Sequence, residues 1–130
     1  MIVARKKDDK FTTEAIIAED NKVRAVYSGQ PTEAGGTGSD FRPGQLVVAG
    51  YASCANMTVS KALIADGVEF EDVIVSVEGD NSEEGKTKFF IKIEILADIS
   101  DEQKAKYVER GKNCFVGRML NNQKEFIDME

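Results

Sequence analysis

The sequence predicts an α+β fold, with antiparallel strands kept apart from helices, and three observations carry that prediction. Residues 2 to 28 and 73 to 95 alternate apolar and polar side chains in the manner of half-buried strands. Between them, Pro43 to Ala65 carries no charged side chain until Lys61 and reads as one helix of about six turns. A capping box and a second apolar-faced stretch follow, which place the remaining helices after the strands. At 130 residues, without repeats or a change of composition, the chain fits a single domain spanning 1–130.

Taken in order, a short strand over Ile2–Arg5 precedes a hairpin. Phe11, Thr13, Ala15 and Ile17 share one face of its first strand, and Val23, Ala25 and Tyr27 follow the turn signal Glu19-Asp20-Asn21. SGQPTEAGGTGSD, from Ser28 to Asp40, is a loop. It lacks the Gly-Lys-Ser/Thr ending of a phosphate cradle and has no strand directly before it, so a structural role is expected. Pro43 suits a first helical turn and Asp66-Gly67 supplies the stop. Val73, Val75 and Val77, then Phe89, Ile91, Ile93 and Ile95, form a longer hairpin turning between Asp80 and Gly85. Ser100-Asp101-Glu102-Gln103 starts a helix expected to run to Arg110, with Ala105 and Val108 inward and Gly111 ending it. Asn113 can cap a short helix from Cys114 to Leu120 with Phe115, Val116, Met119 and Leu120 on its apolar face. Lys124 to Met129 alternate again and read as a closing strand.

The central helix shapes the assembly expected. Its apolar residues run round the whole cylinder, so it must be covered on every side. One sheet and two short helices cannot do that, and a second copy of the chain can; a homodimer with the central helices near its core is the expectation. Gln45, Ser53, Asn56, Thr58, Ser60 and Lys61 argue against a membrane span. A net charge of −6, with Lys and Arg scattered, speaks against nucleic-acid or anionic-membrane partners. The N-terminus has no apolar run of the secretory kind, and a cytoplasmic protein is expected. With no histidine and two cysteines, neither a metal site, nor a histidine-based triad, nor a disulfide scaffold is expected, and no cofactor is implied.

Cys54 falls in mid-helix, at a buried place. Cys114 falls at the first position of a later helix, where free N–H groups and the helix dipole favour a thiolate. Each can equally be a small buried hydrophobe, and a separation of sixty residues lets them meet only through the fold.

The run PGQLVVAGYASCANMTV puts a cysteine eleven residues after the helix-starting proline, in an Ala-x-Cys-x-x-Met setting. With the GGTG loop, the later Asn-Cys-x-Val, the short helix and the final strand, it resembles the OsmC/Ohr family over nearly the whole chain. The resemblance implies an intertwined homodimer, sheets wrapped around long central helices, and a cysteine peroxidase acting on organic hydroperoxides. Cys54 would be the peroxidatic and Cys114 the resolving cysteine: a Cys54 sulfenic acid condenses with Cys114 to a disulfide, which an external dithiol reduces. Leu46, Val47, Tyr51, Met57 and Phe115 offer apolar walls for a hydrophobic peroxide, and equally serve as plain core.

One residue departs from the pattern. The strong peroxidases of the family carry a glutamate directly after the proline, paired with an activating arginine; here that place is Gly44, and Gln45 points about 100° further round the helix. Arg5, Arg24 and Arg42 lie upstream, none in a motif that aligns. The competing reading is therefore a relative that binds a small apolar molecule in the same inter-subunit pocket without peroxidase turnover. A third is a redox-regulated interaction protein.

Overall fold

A computed structural model describes residues 1–130 as two compact units, Met1–Val47 and Val48–Glu130. In the first, β1 (Ile2–Lys6), β2 (Thr13–Glu19) and β3 (Lys22–Ser28) form an antiparallel sheet in the order β1-β2-β3. The register sets Ile2 opposite Ile17 and Ala15 opposite Val26. Asp20 and Asn21, at φ of 50° and 58°, make the tight turn between β2 and β3, a conformation these two residue types tolerate better than most. Phe11 is not on the strand face expected for it: at φ 63° it is an exposed turn residue. The Asp8 carboxylate captures the Lys10 and Thr12 N–H groups at 2.8 and 3.3 Å, and β2 begins only at Thr13. The loop after β3 contains one 3₁₀ turn, Thr32–Ala34.

Helix α1 (Pro43–Ala65) starts at the end of the first unit and occupies the second. The Gln45 side chain accepts from the Arg42 N–H at 3.0 Å and steadies its first turn. At its far end Gly67, at φ 69°, reverses the chain, and the N–H groups of Gly67 and Val68 return to the carbonyls of Ile64 and Leu63.

In the second unit β4 (Asp72–Asp80) and β5 (Lys88–Leu96) form an antiparallel pair, followed by α2 (Asp101–Lys112) and α3 (Phe115–Asn121). The register matches Val73 with Ile95, Val75 with Ile93 and Val77 with Ile91, so three successive pairs of one sheet face are β-branched, and that face packs against α1. Val59, Leu63, Val73 and Ile95 form one buried cluster; Tyr51, Ala55 and Cys114 form the other. The fold class is α+β with two antiparallel sheets and three helices, as expected.

Four boundaries differ from the sequence expectation. Gly111 does not end α2; it lies buried inside it, where the missing side chain lets α2 close on Val59 and Ile93. Asn113 is the C-cap of α2, and Cys114 itself is the N-cap of α3. Along α2, Tyr107 and Val108 pack on the core while Ala105 is exposed. The closing strand over Lys124–Met129 is absent: no strand of the chain pairs there, and Phe126, Ile127 and Met129 are 97, 80 and 82% exposed. Alternation alone does not make a strand without a neighbouring ladder to bond to. For the same lack of covering elements, α1 is not buried all round within one chain. Its buried stripe is Tyr51, Ala55, Val59, Ala62 and Leu63, and Met57 and Ile64 are exposed. No helix is long and apolar enough to cross a membrane.

Candidate functional site

The two cysteines, sixty residues apart, meet in the second unit. Cys54 sits on α1 one turn beyond Tyr51 and is half-buried; Cys114 closes the α2–α3 junction at 2% exposure. Both are free thiols, and Cys54 packs against the buried cluster that holds Cys114. α1 and α3 thus present the pair from two directions, and Val116 and Leu120 pack behind it.

The surroundings set the two sulfurs apart. Burial pushes the Cys54 thiol up, but the Val116 N–H, the Cys114 thiol, the Phe115 N–H and the Thr58 hydroxyl outweigh it and hold the group below the ordinary thiol range. Cys114 goes the other way. Burial raises it, its acceptance of the Gly117 N–H at 3.5 Å offsets only part of that, and the neighbouring Cys54 sulfur raises it further. The expectation that the start of α3 favours a Cys114 thiolate is therefore overturned: the N–H groups there do lower its pKa, but Cys114 is shut away from water and burial outweighs them. Cys54, expected to be buried, is the more exposed of the two.

Tyr51 and Thr58 belong to this site and were readable as neighbours of Cys54, since they lie three residues before and four after it on one helix face. The Tyr51 hydroxyl donates to the Lys112 carbonyl at 2.9 Å, and its ring meets Phe89 edge to face at a centroid distance of 6.0 Å. Burial and the nearby Cys114 both raise its pKa. Beside the pair lies an open groove of about 1020 Å³, lined among others by Tyr51, Phe89, Phe115, Arg118, Met119 and Leu120. Of the apolar walls read from the sequence, Tyr51 and Phe115 line this groove and Met57 does not; Leu46 and Val47 belong to the first unit.

The departures at the helix start have plain local consequences. Nothing lies within 4 Å of where a side chain at Gly44 would begin, and Gln45 is engaged with the Arg42 backbone. Arg24 pairs with Glu19 at 2.8 Å on the surface of the three-stranded sheet.

A family description of OsmC-like proteins matches residues 36–127, which include both cysteines. Among solved structures, an OsmC-like protein of Mycoplasma pneumoniae is 19% identical, with 93% of this chain and 86% of that one covered at a TM-score of 0.73. A protein of Psychrobacter arcticus named for osmotic stress and detoxification is 16% identical, over 91% and 85%, at 0.74. An organic hydroperoxide resistance protein of Legionella pneumophila is 18% identical, over 92% and 88%, at 0.61. Likeness at these identities concerns the fold. Among curated proteins, none matches the sequence. The match over residues 36–127, with a fold shared along nine-tenths of the chain, means that the protein belongs to the OsmC-like family.

Proposed function

We propose that the protein is a cysteine peroxidase that reduces organic hydroperoxides, with Cys54 attacking and Cys114 resolving. The observation that carries the reading is the packing together of two free thiols in unlike surroundings, one half-open with its pKa lowered, the other buried with its pKa raised. The organic hydroperoxide resistance proteins of the same fold support the choice of substrate class. The Cys54 thiolate attacks the outer peroxide oxygen, the O–O bond breaks, and the leaving alkoxide takes a proton to become an alcohol. Cys54 is left as a sulfenic acid. The Cys114 sulfur then displaces its hydroxyl, a Cys54–Cys114 disulfide forms, and water leaves. An external dithiol returns both thiols by exchange. The reading includes a homodimer, whose second copy would cover the exposed flank of α1, and a hydrophobic substrate resting on the exposed Phe115 ring.

Consumption of cumene hydroperoxide with dithiothreitol, wild type against Cys54→Ser, tests it. Turnover lost with Cys54 is the expected result, and an inert wild type overturns the reading. Gly44 favours a second one, a binder of small apolar molecules, because the family's activating glutamate has no counterpart in this chain. Unreacted thiols after one equivalent of peroxide would be its signature.

A further inference from the structure

We infer that Tyr51 is a positioning residue for the disulfide-forming step, holding Cys114 against Cys54 through the Lys112 carbonyl. The inference rests on the two-cysteine cycle proposed above. Lys112 ends α2 and Cys114 caps α3, so only Asn113 separates the carbonyl that Tyr51 binds from the sulfur that must move. Tyr51 itself is fixed. It is 7% exposed, its ring packs on Phe89, and it shares a buried cluster with Ala55 and Cys114.

Gly117 closes the same knot from the other side. A methyl group there would lie 2.5 Å from the Lys112 carbonyl oxygen and 2.9 Å from Tyr51 Cε1. The α2–α3 junction is therefore clamped between the Tyr51 hydroxyl, its ring and the first turn of α3, at the point where the resolving sulfur is presented. The hydroxyl donates its hydrogen bond to a backbone carbonyl, so it serves the step by placement and not by proton transfer. In that step Cys54 S–OH and Cys114 S–H give S–S and water, which demands that the two sulfurs be in line before any bond forms.

Tyr51→Phe keeps the ring and removes the bond. In a buffer of reduced and oxidised glutathione, the effective concentration of one thiol for the other, read as the fraction of linked Cys54–Cys114 peptide, is expected to fall about fivefold, the weight of one net hydrogen bond. Gly117→Ala, which presses on the same carbonyl, should lower it in the same sense. Leu63→Ala in the other buried cluster destabilises without touching the junction and should leave it at the wild-type value. With several equivalents of cumene hydroperoxide, the second of which takes sulfenic to sulfinic acid, Tyr51→Phe should also divert more Cys54 to sulfinic acid, measured against that variant's own rate of Cys54 oxidation. A wild-type effective concentration in Tyr51→Phe, or an equal fall in Leu63→Ala, overturns the inference. A wild type inert to peroxide overturns the peroxidase reading alone, because the glutathione measurement does not depend on it.

Discussion

Replacing Gly111 with alanine sets two terms of known sign against each other. Gly111 is inside α2, so at an open site alanine would stabilise the helix by about 1 kcal/mol. The site is not open: the added Cβ would lie 2.7 Å from Ile93 Cδ1, 2.7 Å from Val59 Cγ2 and 3.5 Å from the Ala55 carbonyl oxygen. Both crowded side chains are β-branched and Val59 is wholly buried, so neither can swing away without leaving its rotamer. Overpacking of this kind costs about 1–3 kcal/mol, and two simultaneous contacts under 3.0 Å place it in the upper half of that range. The net expectation is a loss of about 1–2 kcal/mol. In urea, with a slope of about 2 kcal/mol per molar, the midpoint should fall by roughly 0.5–1 M at fixed protein concentration. Gly44→Ala is the control, since nothing lies within 4 Å of its missing Cβ, and its midpoint should stay or rise. A Gly111→Ala midpoint at or above wild type would refute the close approach of α2 to α1.

Four further outcomes are expected. Because the pKa of Cys54 is lowered, its thiolate persists on the acid side of the ordinary thiol range, so iodoacetamide should alkylate Cys54 there faster than a free thiol and faster than Cys114. Cys114→Ala removes a donor to that sulfur and should move the pH–rate profile of Cys54 alkylation to higher pH, whereas Cys114→Ser retains a donor and should move it less. Leu63→Ala empties a fully buried position among Val59, Val73 and Ile95 and should cost about 2–5 kcal/mol by urea denaturation. Light scattering should find a dimer at every working concentration, with a thermal midpoint that rises with protein concentration; a folded monomer would refute that assembly.

Much of the fold was legible because local signals and burial agree. Pro43 and Gly67 bracket α1, Ser100 and Gln103 form the capping box that starts α2, and β4 and β5 pair their β-branched positions in the register that the alternation implies. The failures have a common physical origin. Phe11, Gly111 and the 124–129 stretch each satisfy a local pattern, but a carboxylate from Asp8, a tight helix contact and the lack of a pairing strand decide their conformation. In the site, the two cysteines could be named from their motifs. Their environments could not, because which sulfur receives the α3 N–H groups depends on how α1 and α3 meet. Tyr51 shows the same limit: its helical spacing places it beside Cys54, while its bond to Lys112 crosses sixty-one residues of sequence.

The setting of Tyr51 also makes the protein its own optical probe. The chain has no tryptophan and three tyrosines, so all of its intrinsic emission comes from phenol rings. Tyr107 donates to the Asp66 carboxylate at 2.6 Å, an arrangement that quenches a phenol by drawing off its proton on excitation. Tyr27 is partly open to solvent, with Lys7 Nζ 4.3 Å from its ring centre. Tyr51 alone is enclosed beside Cys114, bonded to a neutral carbonyl and locked edge-on to Phe89. A change in the charge or bonding of the Cys114 sulfur therefore alters the light from one ring of the three. The state of the cysteine pair can be followed by tyrosine fluorescence and near-ultraviolet dichroism without attaching a dye.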